Sequence, residues 1–141
     1  MLIRLLYASR STNVVTKDML DSILSKSRAH NPGAGITGIL CHSGNMFLQV
    51  LEGNRREVSN LYNRIAGDSR HKDVEILHYE EVTERRYSNW TMGQVNLDKV
   101  NPSTLLKYSE KPELNPYVVA GKMSIALLDE LIASAAIVSR G

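Results

Sequence analysis

The chain opens on a continuous apolar run. Leu2 to Ala8 is hydrophobic except for Arg4 and reads as a core strand, with Ile3 and Leu5 alternating against Leu2 and Leu6 so that both faces need cover. Ser9 to Val15 is polar and turn-like. From Thr16 to His30 the period becomes helical. Met19, Leu20, Ile23 and Leu24 form one stripe, Thr16 is placed to cap it, and Asp18 sits in the first turn. Asn31-Pro32-Gly33-Ala34-Gly35 is expected to stop this helix.

Ile36–His42 and Met46–Leu51 are two β-prone runs around Ser43-Gly44-Asn45, the pattern of an antiparallel hairpin. Asn54-Arg55-Arg56-Glu57 has the form of a capping box. Val58, Leu61, Tyr62 and Ile65 follow at helical spacing, and Gly67 supplies a stop. Val74–Val82 and Trp90–Leu97 read as a fourth and a fifth strand. The order predicts an α+β fold, a ferredoxin-like βαββαβ sandwich with an added fifth strand and C-terminal helices. The first and third strands are expected side by side at the sheet centre and parallel, with both helices on one face. Further on, Asn101-Pro102 starts a short helix through Lys107, Lys111–Pro116 connects, and Met123–Val138 carries Ile125, Leu128, Leu131, Ile132 and Ala135 on an apolar face. This tail, or a second subunit, is expected to cover the sheet face that the first two helices leave bare.

Composition narrows the function more than the fold. At 141 residues the chain is one domain in size, and 43% hydrophobic with 23% charged residues is a globular balance. A net charge of +2 gives no case for nucleic acid as a partner. One cysteine excludes an internal disulfide framework and a multi-cysteine zinc site. Neither a secretory signal nor an apolar run of membrane-spanning length is visible, so the expected setting is the cytoplasm, with no membrane contact.

The usual catalytic constellations are missing from the sequence. His30, His42, His71 and His78 lack metal-ligand spacing, and no Walker loop, G-x-S-x-G or G-x-G-x-x-G occurs. Gly33-Ala34-Gly35 follows a helix and precedes a strand, the reverse of a phosphate loop. Cys41 and His42 are strand neighbours pointing to opposite faces, and Cys41 reads as a packed residue. More informative are two polar residues in core strands. Tyr7 shares a face with Ile3 and Leu5, and Gln49 with Phe47 and Leu51, so a hydroxyl and an amide meet under the helices and must be hydrogen-bonded. On residue types alone a plain Tyr–Gln core bond is the favoured account of them, ahead of a site. Asn31, at the end of the first helix, has one donor and one acceptor for the edge of a planar heterocycle. Arg64, Asp68, Arg70 and His71 gather at the end of the second helix, either as a solvated end or around a phosphate or carbonyl.

Taken in order, the blocks Leu6-Tyr7-Ala8-Ser9, His30-Asn31 through Gly35-Ile36-Thr37-Gly38, Phe47-Leu48-Gln49-Val50-Leu51-Glu52-Gly53, Arg64-Ile65, Asp68-Ser69-Arg70-His71 and Trp90-Thr91-Met92 resemble a BLUF domain, a blue-light sensor using flavin. The similarity covers roughly residues 2–97 and is greatest to short, single-domain members. It implies residues 1–97 as the sensory domain and 98–141 as a helical extension, with no fused enzymatic output. It implies FAD as cofactor, with FMN or riboflavin as alternatives.

The resemblance also implies roles. Tyr7 is the redox-active tyrosine, and Gln49 lies between it and the flavin edge, changing tautomer or orientation after excitation. Asn31 binds the pyrimidine-like edge of the ring. Arg64, Asp68, Arg70 and His71 surround its rim and side chain, Ile65 packs on it, and Ser27 is an extra contact. Trp90 and Met92, two apart on the fifth strand and so on one face, compete for the place beside the glutamine. Output is expected to reach a downstream signalling protein, in a response-regulator or antirepressor-like role, with the chain in a homo-oligomer. Two rival readings are a flavin-dependent oxidoreductase and a colourless ferredoxin-like module, either a small-ligand regulator or an acylphosphatase-like hydrolase.

Overall fold

The computed structural model describes residues 1–133. Its elements are β1 (Leu2–Ser11), α1 (Lys17–Ala34), β2 (Thr37–Ser43), β3 (Met46–Asn54), α2 (Arg55–Ala66), β4 (His71–Glu81), β5 (Gly93–Asn96), a 3-10 turn (Leu97–Lys99), α3 (Pro102–Leu106) and α4 (Gly121–Ala133). The five strands form one sheet in the order β4-β1-β3-β2-β5. The α+β, ferredoxin-like order is as expected.

The strand direction is not. β1 and β3 are neighbours, but they pair antiparallel, Leu5 opposite Leu51 and Tyr7 opposite Gln49. Chain direction explains this. The α1 crossover brings β2 back along the direction of β1, and the β2–β3 hairpin then reverses it. The parallel pair is instead β2 with β5, at the edge of the sheet.

Two helix ends also differ from expectation or refine it. Thr16 caps α1, its hydroxyl accepting from Met19 N. The helix then runs through Asn31 and Pro32 to Ala34, because a proline this close to the end forfeits only one backbone bond. Gly35 makes the stop, in the left-handed conformation at φ 69°, with its N–H turned back onto the carbonyls of Asn31 and Pro32. Asn31 therefore lies inside the helix. The Asn54 side chain caps α2 by accepting from Arg56 N at 2.9 Å.

α1 and α2 share one face of the sheet, where Leu20, Leu24 and Val58 pack on Ile3, Leu5, Leu40, Phe47 and Leu51. On the other face Leu105 of α3 and Ile125, Leu127, Leu128 and Leu131 of α4 cluster with Leu6, Ala8, Ile39, Cys41, Leu48 and Val50. β1 is thus buried on both faces, which is why its sequence is nearly all apolar. Cys41 belongs to this second core, where burial pushes its thiol up to about 12. Positions 134–141, including Ala135 and the expected end of the last helix, lie outside the described residues. Among the described residues no helix is long and apolar enough to cross a membrane.

Candidate functional site

α2 carries a good apolar stripe, yet of that stripe only Val58 is buried; Leu61, Tyr62 and Ile65 remain half-exposed. They stay so because α1 and α2 stand apart over the sheet and leave a cleft of about 390 Å³ between them. Its walls are Ile23, Ser27, His30 and Asn31 from α1 and Leu61, Arg64 and Ile65 from α2. Its floor is Tyr7, Leu40, Phe47 and Gln49 from the three central strands, and Asp68, Arg70 and His71 close one end. All nine residues expected to touch the cofactor (Tyr7, Ser27, Asn31, Gln49, Arg64, Ile65, Asp68, Arg70 and His71) line this one cleft.

The floor carries a continuous polar chain. Tyr7 and Gln49 are direct cross-strand partners, so their side chains rise from adjacent strands on the same face. The Tyr7 hydroxyl donates to Gln49 Oε1. Gln49 Nε2 in turn points to Met92 Sδ at 3.2 Å. Burial, with a smaller contribution from nearby Tyr62, holds the Tyr7 hydroxyl well above the usual phenol range, so it stays protonated. The Tyr62 ring meets the Tyr7 ring edge-on with centroids 5.6 Å apart.

Asn31 is 1% exposed and half satisfied. Its Nδ2 donates to Thr91 O at 3.2 Å, while Oδ1 is buried with no partner. A buried carbonyl oxygen left unmade costs about 1–3 kcal/mol, so the site favours an occupant with an N–H at its edge. An isoalloxazine fits these demands. It is flat and apolar enough for the slot between Ile23, Leu61 and Ile65, and its imide would supply the missing donor.

The end wall is electrostatic. Arg70 grips Asp68 through Nε and Nη2, and these hydrogen bonds hold the Asp68 carboxyl at about 2. The His71 ring is bonded through Nδ1 to Ser9 Oγ at 3.0 Å and is tilted against Phe47. Burial lowers its basicity, and Asp68 offsets part of this. At the mouth Arg64 Nη2 meets His30 Nε2 at 3.0 Å.

Trp90 and Met92 do not share a face. β5 begins at Gly93, so strand alternation does not govern residues 90–92. Met92 lies in the core with Tyr7 and Phe47, whereas Trp90 lies in the opposite core with Leu6 and Val50. Met92 is therefore the neighbour of Gln49.

The segment from β4 to Met92 is held by groups that sequence reasoning missed. Glu52, 0% exposed on β3, accepts from Arg4 Nε at 2.8 Å and from the backbone N–H groups of Arg86 and Tyr87 at 3.0 and 2.6 Å. Arg4 also pairs with Glu80. Arg85 reaches Gly35 O at 2.7 Å and Thr37 Oγ1 at 2.9 Å. The one signal available was Arg4, a lone charge in an apolar strand, which needs a buried counter-charge. Among the described residues no cluster of three or more metal-ligating side chains occurs.

Comparison with known proteins fits this geometry. A family model described as "Sensors of blue-light using FAD", BLUF, matches residues 2–93. The photoactivated adenylate cyclase subunit beta of Euglena gracilis is 39% identical over 89 residues, covering 62% of this chain and 10% of that protein. The chain thus spans about a tenth of the length of such curated relatives. The solved structure of BlsA in its photo-activated state superposes with a TM-score of 0.81 at 30% identity, covering 94% of this chain and 95% of that one. Klebsiella pneumoniae BlrP1, solved with FMN and cyclic diGMP, gives a TM-score of 0.70 at 28% identity over 96% of this chain and 35% of that one. The cleft, its polar floor and a family match over most of the sheet agree: the chain belongs to the BLUF family of flavin-using blue-light sensors.

Proposed function

We propose that this protein is a blue-light photoreceptor that holds FAD without a covalent bond, in the cleft between α1 and α2. FMN and riboflavin share the same ring and fit the same contacts. The observation that carries the reading is the unbroken chain Tyr7 hydroxyl, Gln49 carboxamide, Met92 sulfur along the cleft floor. When bound, the flavin supplies the absorption of blue light and an excited ring that accepts an electron. Tyr7 would be the source of that electron, and its phenolic proton would accompany it to the ring by way of Gln49 Oε1, the atom on which the hydroxyl rests. Gln49 then changes tautomer or orientation. A carboxamide that does so exchanges a donor for an acceptor at both ends, so its bond to the sulfur of Met92 is broken or remade. Asn31 Oδ1 would hold the ring edge, Ile65 would pack on its face, and Ser27, Arg64, Asp68, Arg70 and His71 would surround its rim and side chain, since all of them line the cleft.

The family is sensory rather than catalytic, which removes the oxidoreductase and hydrolase alternatives for the matched region. We take residues 1–97 as the sensory unit and 98–141 as a helical extension. The Arg86–Asp129 ion pair at 3.1 Å, joining the segment before Met92 to α4, supports output through that extension. The recipient is a downstream protein, with the chain acting in the cytoplasm as a homo-oligomer. Relatives whose names pair light with adenylate cyclase support an effector of signalling as the recipient.

Light-minus-dark absorption tests the assignment. Flavin-loaded wild type shifts its band to the red and returns in darkness, and Tyr7→Phe and Gln49→Leu retain flavin but lose the shift. A shift of wild-type size in Tyr7→Phe removes Tyr7 from the role.

A further inference from the structure

Met92 supplies the sulfur beside Gln49, yet its backbone has no rung in the sheet. Pairing of β2 with β5 begins at Ile39 opposite Gly93, so residues 90–92 lie before the ladder. Separate hydrogen bonds hold them. Gly38 N donates to Trp90 O at 3.0 Å, Asn31 Nδ2 to Thr91 O at 3.2 Å, and Arg28 Nη2 to Met92 O at 3.2 Å. Arg28 and Asn31 are three apart on α1, so one helix turn grips two successive carbonyls. Arg28 does not line the cleft. Its side chain is half-buried, and its Nε is buried without a partner. A guanidinium placed there in partial burial has the Met92 carbonyl as the acceptor for its Nη2, and a bond from a charged donor is stronger than a neutral one.

We propose that Arg28 is a positioning residue of the photocycle: by holding Met92 O it keeps the Met92 sulfur on Gln49 Nε2 in the dark arrangement, and so sets how fast the light state decays. The inference rests on the Tyr7–Gln49 reading above and adds a residue outside the flavin cleft. Without this hold the Met92 carbonyl is free to tilt, the sulfur leaves the amide, and the dark arrangement loses stability relative to the light state. Recovery in darkness then slows.

The test is dark recovery of the red-shifted band in flavin-loaded wild type, Arg28→Met, Arg28→Gln, Arg28→Lys, Met92→Ala and the Arg28→Met/Met92→Ala double variant. Arg28→Met keeps the packed stem and loses every donor, and is expected to slow recovery by about threefold or more. Arg28→Gln, whose uncharged amide nitrogen ends about two bonds short of Nη2, tests the loss of the same contact should the methionine variant fail to fold. Arg28→Lys keeps a charged donor and is expected to stay within about twofold of wild type. In the Met92→Ala background the Arg28→Met effect vanishes, since no sulfur remains to be placed. A purely structural role slows recovery equally with and without the sulfur, and that result overturns the inference, as does wild-type recovery in both Arg28→Met and Arg28→Gln. A wild type that shows no red shift is a different failure. It overturns the photocycle itself, and this inference with it.

Discussion

Replacing Asn31 by alanine removes a buried acceptor in the cleft that has no partner among the described residues. The residue is 1% exposed, and its Nδ2 is already committed to Thr91 O, so Oδ1 is the atom left for a ligand. Loss of a neutral hydrogen bond in a dry site costs about 1–2 kcal/mol. That is about a 5- to 30-fold loss in flavin affinity. The assay is titration of flavin-free protein with FAD, followed by quenching of flavin fluorescence. Ser27→Ala, which alters the cleft wall without exposing a buried orphan, serves as the control and is expected to weaken binding less than about threefold. Binding of FAD to Asn31→Ala within twofold of wild type refutes the assignment of Oδ1 to the ring edge.

Two further predictions concern the frame around the cleft. Glu52→Gln leaves Arg4 with only its half-exposed partner Glu80, and is expected to cost about 3 kcal/mol of stability by urea denaturation; a loss below about 1 kcal/mol shows that the buried pair does not hold the segment leading to Met92. Burial lowers the basicity of His71 in the folded chain, so the unfolded chain takes up its proton first as pH falls. The stability contributed by the neutral ring is complete above about pH 6.5 and declines as pH drops through the lower, folded value. His42 is lowered in the same direction, so the informative quantity is the difference between wild type and His71→Gln. Denaturation midpoints at pH 7.5 and 5.5 are expected to fall further in wild type, and equal falls contradict the assignment.

Much of this was legible in the order of residues. Alternation along β1 and β3 put Tyr7 and Gln49 on the helix-covered face, and the register made them direct partners. The cleft residues on α1 and α2 followed from helical spacing and from resemblance. Strand direction is not carried by adjacency: the α1 crossover and the β2–β3 hairpin set β3 against β1. Trp90 and Met92 part to opposite cores for a different reason. Both precede β5, so strand alternation does not govern them, and Arg28 and Asn31, not the ladder, fix the backbone there. The Arg4–Glu52 pair lies 48 positions apart and depends on a two-strand register that composition does not encode. Helical spacing puts Leu61 and Ile65 on one stripe and the resemblance sets Ile65 against the ring, but only the spacing of two helices over the sheet makes Leu61 a cleft wall.

The central claim is that illumination rearranges one carboxamide, and glutamine-labelled infrared difference spectroscopy tests it most directly. The sequence holds two glutamines, Gln49 and Gln94, so a side-chain isotope label reports on very few groups. The account predicts label-sensitive bands in the light-minus-dark spectrum of the flavin-loaded protein, retained in Gln94→Asn and absent in Tyr7→Phe. A light-minus-dark spectrum with no label-sensitive band, in a sample whose visible absorption has shifted, contradicts it.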